Sequence, residues 1–267
     1  MPRVKIDAHS LLKKLREQKP VVHHLTNWVT IYDCANVVKV LGASPVMAHA
    51  PEEVAEMAGI ASALVLNIGT LTTDFVESMK IAAKSANQKG IPVILDVCGA
   101  GATKLRDQKC FELLDAVKIA IIKGNSSEVA RISGETVKTR GVDSGQIQSD
   151  MVEVARKLAR QRACTVVVTG QEDIVTDGQK HYLIKNGHAL LANIVGTGCM
   201  STSVVATFAA VHSVYCAAAT AGLVCFEIAS ELAAKKSHGP GTFKEQLFDA
   251  LPNLNKATLQ QKQKVFS

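Results

Sequence analysis

Four short runs rich in Val and Ile recur through the chain: "ALVLNIG" (63–69), "IPVILDV" (91–97), "KIAIIKG" (118–124) and "CTVVVTG" (164–170). Each is apolar throughout rather than alternating, which is how a strand reads when both its faces are covered. Helical patterns lie between them, over Thr73–Lys89, Lys104–Ala116 and residues 148–161. Strand, helix, strand in this rhythm predicts βαβ units, and so an α/β fold with a central, mostly parallel sheet flanked by helices.

Upstream, "VVHHLTN" reads as a strand and "VTIYDCANVVKVLG" as a helix closed by Gly42. "PVMA" reads as a short strand, and "PEEVAEM" as a helix with Pro51 in its first position. After Gly170 the pattern alternates. "DIVTDGQKHYLIKNG" carries Asp-Gly and Asn-Gly pairs, which predict a small antiparallel hairpin region. "HALLANI" reads as one more strand, and a last helix is expected near residues 243–251. No linker, low-complexity tract or repeat divides the chain, so a single domain over residues 1–267 is expected.

Composition removes several classes of function. The net charge is +6, but the basic residues are scattered on helix flanks and in the tail without an interleaved aromatic platform, so no nucleic-acid partner is expected. Seven cysteines, an odd number with no Cys-x-x-Cys, sit mostly in apolar runs and read as reduced thiols. With no apolar signal-like segment at the start, a cytoplasmic protein is expected. Residues 204–226 carry no Asp, Glu, Lys or Arg and are long enough to cross a bilayer. Thr207, His212, Ser213 and Thr220 interrupt them, and Glu227 and Glu231 continue their pattern. Two buried helices with a break near His212-Ser213 are expected, and no membrane span.

The strands end in polar or glycine residues: Asn67-Ile68-Gly69-Thr70, Asp96-Val97-Cys98-Gly99, Lys123-Gly124-Asn125 and Thr169-Gly170. In an open parallel sheet ligands bind outside the carboxyl ends of the strands, so these ends should converge on one crevice. "NIVGTGCM" (193–200) adds a Gly196-Thr197-Gly198 turn that launches a helix with Cys199 at its start. Glycines allow a tight turn, and the free amides of a helix N-terminus attract an anion. The turn is not a Walker loop, and "GAGAT" (99–103) lacks the third glycine of a dinucleotide fingerprint. Asp96 and Glu128 are two carboxylates at this edge that can hold Mg²⁺ through its waters; a strand-end turn and a first-turn helix charge are the plainer readings. Asn125 or Ser126 can cap the helix carrying Glu128. Lys123 can meet a phosphate or stay solvated, and Thr169 can contact a nucleotide or only end its strand. His23 and His24 are adjacent in a strand, point to opposite faces and do not make a metal pair.

Taken in order, "HHLTNWVTIYDCANVVKVLGASPVMAHAPEEV", "ALVLNIGTL", "LDVCGAGATKLR", "IKGNSSEV", "TRGVDS", "VVVTGQEDIVTDG" and "VGTGCM" resemble the hydroxyethylthiazole kinase family of thiamine biosynthesis, whose fold is ribokinase-like. The resemblance covers nearly the whole chain. It implies ATP-dependent phosphorylation of the hydroxyl of 4-methyl-5-(2-hydroxyethyl)thiazole, assisted by Mg²⁺. It implies Met47 and Gly196 at the thiazole, with Asn27, Asn67, Gly69 and Thr70 shaping that pocket. It implies Lys123, Thr169 and Asn125 at ATP, and Asp96 and Glu128 at the metal and phosphates. Cys199, with Gly196 and Gly198, falls where many ribokinase-like kinases carry a catalytic Asp after their Gly-x-Gly turn. A homotrimer with the site between subunits is implied as well. Two departures stand out. Val97-Cys98 follows the strand Asp where the family often has Pro-Val, and Lys123 precedes Gly-Asn. Cys98 makes that edge open to oxidation. Three rival readings are a related kinase for a hydroxymethylpyrimidine or sugar, a non-catalytic binder of the same fold, and an ATP-dependent dehydratase of damaged nicotinamide cofactor. For the last, Asp is expected in place of Cys199.

Overall fold

The computed structural model describes residues 2–134 and 144–267, with side chains from residue 151 onward in the second stretch. Of "TRGVDS", residues 139–143 lie outside the described residues. The strands are β1 (Arg3–Val4), β2 (Val21–Leu25), β3 (Ser44–Val46), β4 (Ala63–Asn67), β5 (Val93–Asp96), β6 (Ile121–Asn125), β7 (Thr165–Thr169), β8 (Asp173–Thr176), β9 (His181–Ile184) and β10 (Val265–Phe266). The helices are α1 (Ala8–Gln18), α2 (Ile31–Leu41), α3 (Val54–Ile60), α4 (Thr73–Lys89), α5 (Lys104–Ala116), α6 (Ser126–Ser133), α7 (Ser144–Arg162), α8 (Thr197–Ala209), α9 (Tyr215–Ala234), α10 (Pro240–Ala250) and α11 (Lys256–Lys262).

All ten strands join one sheet in the order β1-β10-β9-β8-β7-β6-β5-β4-β2-β3. From β3 to β7 every neighbouring pair is parallel. From β7 to β1 every pair is antiparallel. The strand period sorts the core. Val65, Ile94, Ile121 and Val167 point to the side of α1, α2, α8, α9 and α10. Leu64, Leu66, Leu95, Ile122 and Val166 point to the side of α3, α4, α5 and α7. Both sides are therefore covered, as the unbroken apolar runs predict.

Local chemistry fixes the helix ends. Thr72 and Thr103 cap α4 and α5 by accepting from the amides of Phe75 (3.2 Å) and Arg106 (3.3 Å). Gly42, Gly90 and Gly134 close α2, α4 and α6 in the left-handed conformation. The charge-free stretch 204–226 is two helices, broken between Ala209 and Tyr215. Among the described residues, α9 is the one helix long and apolar enough to cross a membrane, and most of it is buried against the sheet and α8. A Cβ on Gly222 would stand 3.3 Å from the Phe208 ring, so its absence lets α9 lie close on α8.

Several expected elements differ. "HALLANI" is not a strand: Ala189–Asn193 is a 3-10 helix. The edge of β9 that a further strand would need is taken by β10, and His188 Nδ1 caps the turn by accepting from the Leu190 amide (3.2 Å). Asp177-Gly178 makes the β8–β9 hairpin, but Asn186-Gly187 makes none. Asn186 Oδ1 instead takes the Lys264 amide at 2.7 Å and holds the segment leading into β10. Pro51 precedes α3 in a turn rather than opening it. The helix expected at 148–161 is longer, and α1, α11, β1 and β10 were not anticipated.

Candidate active site

The parallel strands β4, β5, β6 and β7 end side by side, with Asn67 opposite Asp96, Asp96 opposite Lys123 and Asn125 opposite Thr169. The N-terminus of α8 faces this edge. Gly196 is its N-cap at φ 94°, a conformation natural to glycine, and a Cβ there would lie 2.5 Å from the Thr30 side chain. No side chain caps α8, and its first backbone bond runs from the Met200 amide to the Gly196 carbonyl at 2.8 Å. The amides of Thr197, Gly198 and Cys199 are thus the open first turn of a helix, where partial positive charge collects.

Lys123 is buried, 4% exposed, and its Nζ donates to the Gly198 carbonyl at 2.8 Å and stands 3.6 Å from Asp96 Oδ2. Burial pulls its pKa down, but the charges of Asp96, Cys199 and Glu128 outweigh that and hold it above the ordinary value. Thr202, one turn into α8, donates to the same Asp96 oxygen at 2.5 Å. Asp96 is therefore tied to both β6 and α8. Glu128 caps its own helix: its Oε2 takes the Asn125 amide (2.7 Å) while Asn125 Oδ1 takes the Glu128 amide (3.0 Å). Its Oε1 reaches across to the Gly99 amide at 2.7 Å. A Cβ on Gly124 would lie 3.1 Å from this carboxylate.

Cys199 sits among amides. Asn67 Nδ2 is 3.3 Å from its sulfur, and Asn27 Nδ2 3.9 Å. The orientation of each amide is fixed from behind, because Asn67 Oδ1 accepts from the Gly69 amide and Asn27 Oδ1 from the Val29 amide, both at 2.9 Å. A Cβ on Gly69 would strike Asn27, so glycine is what lets these loops meet. The Cys98 thiol, which donates to Cys199, lowers the Cys199 pKa to about 7. Burial and Asp96 oppose the shift; Thr30 and Lys123 assist it. Cys98 itself is pushed up.

Of the residues expected at the site, Asn27, Asn67, Gly69, Asp96, Lys123, Gly198 and Cys199 are joined in one chain of contacts. Glu128, Asn125 and Thr169 line the adjoining edge; Thr169 Oγ1 is 3.4 Å from the Gly124 carbonyl. Thr70 accepts from the Trp28 amide at 3.0 Å and joins the two substrate-side loops. Met47 lies farther out, just past β3, its carbonyl 3.3 Å from His49 Nδ1. His23 and His24 part as expected: His23 Nε2 is 2.7 Å from the Ala48 carbonyl, and His24 Nε2 is 3.1 Å from Ser203 Oγ. Thr30, Thr202 and Arg106 had no sequence signal. Arg106 spans three backbone carbonyls, those of Ile68 (2.9 Å), Gly69 (2.8 Å) and Cys98 (3.1 Å), and so locks the β4 and β5 loops together. Among the described residues no three His, Cys, Asp or Glu side chains form a metal cage. The two spaced carboxylates suit Mg²⁺, which keeps waters and takes one or two carboxylates beside a phosphate.

The model of the hydroxyethylthiazole kinase family matches residues 12–257. A hydroxyethylthiazole kinase of Methanosarcina mazei is 52% identical over 254 residues, 95% of this chain and 97% of that protein. The structure of a hydroxyethylthiazole kinase protein from Pyrococcus horikoshii superposes with a TM-score of 0.90 at 38% identity, over 97% of this chain and 98% of that one. A ribokinase-like superfamily protein of Enterococcus faecalis, at 14% identity and a TM-score of 0.64 over 91% of this chain and 93% of that one, shares the fold.

The thiol environment yields a direct test. Alkylation of Cys199 by a small reagent, followed by peptide mass, should rise with an apparent pKa of about 7 in the free protein. In Cys98→Ala, which removes the donor to that sulfur, the profile should move to higher pH. An unmoved profile would detach Cys98 from the control of Cys199.

Proposed function

The chain belongs to the hydroxyethylthiazole kinase family, and we infer from that membership and the geometry above how its own residues perform the reaction. Its activity is phosphorylation of the hydroxyl of hydroxyethylthiazole with ATP as donor, a step of thiamine biosynthesis. The observation that carries the mechanism is the uncapped N-terminus of α8 facing a carboxylate, a buried lysine and a thiol at one strand edge.

ATP lies along the ends of β6 and β7, with its adenosine side toward Asn125 and Thr169 and its γ-phosphate toward α8. The amides of Thr197, Gly198 and Cys199 receive the phosphoryl oxygens as charge spreads over them. Donors fixed before the reaction and turned toward developing charge are commonly the largest catalytic contribution. Lys123 does not reach out as a flexible surface lysine would. It holds the Gly198 carbonyl and so sets the angle of the turn, while its charge bears on the same oxygens. Asp96 and Glu128 would hold Mg²⁺ through its waters, and the ion would supply neutralisation of charge on the phosphates. Glu128 has both oxygens engaged by backbone amides, which fixes its direction.

The thiazole alcohol enters from the side of Asn27, the Asn67–Thr70 loop and Met47, with Gly196 at its back. Its hydroxyl meets Cys199, whose sulfur accepts hydrogen bonds from Asn67 and Asn27 and is positioned to take the alcohol's proton. The transition state of phosphoryl transfer is loose, so the proton leaves late and the thiol aids rather than drives the step.

The site is completed by other copies of the chain in a homotrimer. Support comes from apolar side chains in solvent beside the substrate loops: Trp28 and Val29 next to Asn27, Tyr32 at 76% exposure, and Val195 at 73% beside Gly196. An apolar group of this kind at the rim of a pocket marks an interaction surface.

Four measurements test these assignments. In an ADP-release assay over thiazole, pyrimidine and sugar alcohols, the thiazole alcohol should be the preferred acceptor. Cys199→Asp should stay active, and Cys199→Ala should lose about 100-fold in kcat, the low end of general-base effects, with ATP binding kept. A folded but inactive Cys199→Asp would remove the base role. Glu128→Gln should need more Mg²⁺ for half-maximal rate, and an identical Mg²⁺ titration would count against the metal assignment. Tyr32→Glu with Val195→Asp should lower the mass seen in sedimentation; an unchanged assembly would move the interface elsewhere.

A further inference from the structure

Arg106 takes no part in the mechanism above, yet three backbone carbonyls of the site converge on it. It is the third residue of α5, where Thr103 Oγ1 accepts from its amide at 3.3 Å. A cation in the first turn of a helix works against the helix dipole, so helix stability does not account for an arginine here. Its side chain leans back past the start of the helix, as helical side chains do, toward the loops that leave β4 and β5. Nη1 donates to the carbonyls of Ile68 (2.9 Å) and Cys98 (3.1 Å), and Nη2 to that of Gly69 (2.8 Å). Residue 99 makes room for the guanidinium. It is a glycine at φ 79°, and a Cβ there would stand 2.8 Å from Nη1. Among the described residues, the last backbone bond between these two chains runs from the Ile68 amide to the Asp96 carbonyl at 3.4 Å. Beyond it the guanidinium takes the place of the missing ladder.

In a planar trans peptide the carbonyl and the following amide point opposite ways, so a group that holds the carbonyl also aims the amide. The Ile68 carbonyl and the Gly69 amide belong to one such peptide. Arg106 holds the first, and the second donates to Asn67 Oδ1 at 2.9 Å. Asn67 Nδ2, thus turned, stands 3.3 Å from the Cys199 sulfur. The Cys98 carbonyl and the Gly99 amide belong to another. Arg106 holds the first, and the second donates to Glu128 Oε1 at 2.7 Å. One guanidinium therefore stands behind both the amide that faces the thiol and the carboxylate at the metal edge. Lysine is no substitute, because a single nitrogen on a flexible stem lacks the planar fork that reaches several carbonyls at once.

We propose that Arg106 is a positioning residue for phosphoryl transfer: through the Ile68–Gly69 peptide it aims Asn67 at Cys199, and through the Cys98–Gly99 peptide it aims Glu128 at the Mg²⁺ site. The inference rests on the reading of Cys199 as the group that meets the alcohol and of Glu128 as a metal carboxylate. Arg106 touches no reacting atom. The adenosine side of the site, at Asn125 and Thr169, is built on β6 and β7, whose ends pair with each other and not with the loops that Arg106 holds. Loss of the guanidinium therefore bears on turnover and on the metal, and not on the nucleotide alone.

The test is a double-mutant cycle on the full chain, with calorimetry beside it. Arg106→Ala should lower kcat about tenfold, the scale of a hydrogen bond to a charged group. Arg106→Lys, which keeps the charge and loses the fork, should fall as far. In an Asn67→Ala background, Arg106→Ala should cost less than about twofold more, because residues that act through one another are not additive. Titration of ATP without the alcohol reads the metal side without turnover. Metal-free ATP affinity should hold within about twofold in Arg106→Ala, while the Mg²⁺ concentration that half-saturates the gain in ATP affinity should rise about tenfold, as when a partner behind a metal ligand is removed. The proposal is overturned if the kcat losses add, if Arg106→Lys is as fast as the unsubstituted protein, if the Mg²⁺ half-saturation stays put, or if metal-free ATP affinity falls as far as kcat. Should Arg106→Ala not fold, Arg106→Lys, which keeps the stem and the charge, enters the same cycle. Asn67→Ala and Glu128→Gln separate the two levels. If they lower kcat and raise the Mg²⁺ requirement while the Arg106 variants do neither, only the positioning role fails. If they themselves change nothing, the reading of the thiol and the metal carboxylate fails, and the proposal with it.

Discussion

A lysine ammonium that is 4% exposed must be given its partners by the fold, and Lys123 is given them from both neighbours at once. Asp96 comes from the adjacent strand β5 and the Gly198 carbonyl from the first turn of α8. Removing one member of a buried ion pair strands the other charge, at a cost of about 3–5 kcal/mol. The sheet edge and the helix N-terminus therefore cannot drift apart without exposing that cost. Thr202 strengthens the joint by donating to the same Asp96 oxygen. What looks in the sequence like a lysine waiting for a phosphate is first a pin between sheet and helix.

The pin determines what remains free. A carbonyl in the first turn is occupied by Lys123, while the amides of that turn face outward with no side-chain cap. Most helices satisfy such amides with a Ser, Thr, Asp or Asn. Here Gly196 occupies the N-cap position and offers no side-chain oxygen. The helix thus gives up the stabilisation of a cap and leaves its first-turn amides free for the phosphate role proposed for them. Glycines on the facing loops act in the same direction. Gly69 and Gly124 let neighbouring side chains approach to distances that any Cβ would block.

The sheet was legible because a strand buried on both faces writes itself as a solid apolar run, and β4 to β7 all do so. The convergence of their polar ends was legible for the same reason, since parallel strands deliver their carboxyl termini to one edge. Other features depend on partners distant in sequence. "HALLANI" fails as a strand because β10, contributed by the end of the chain, has already taken the edge of β9. Two-residue strands such as β1 and β10 carry no periodicity to read. Arg106 looks like any helix-surface arginine, yet it spans carbonyls of two loops. The separate contributions of Asp96 and Glu128 were visible as residue types. That one is tied to α8 and the other caps α6 was not.

The thiol at 199 follows from the charges around it. The pocket already holds Asp96 and Glu128 against a single buried lysine, and a bound γ-phosphate adds more negative charge. An aspartate at this position would bring a permanent further charge into that field. A thiol brings one only when it ionises, and the phosphate favours its neutral form. Two amides oriented from behind by the Gly69 and Val29 backbone hold the sulfur as an acceptor in either state. The sulfur therefore need not be charged beforehand to serve the proposed mechanism, in which it takes the alcohol's proton late while the amides of α8 lower most of the barrier.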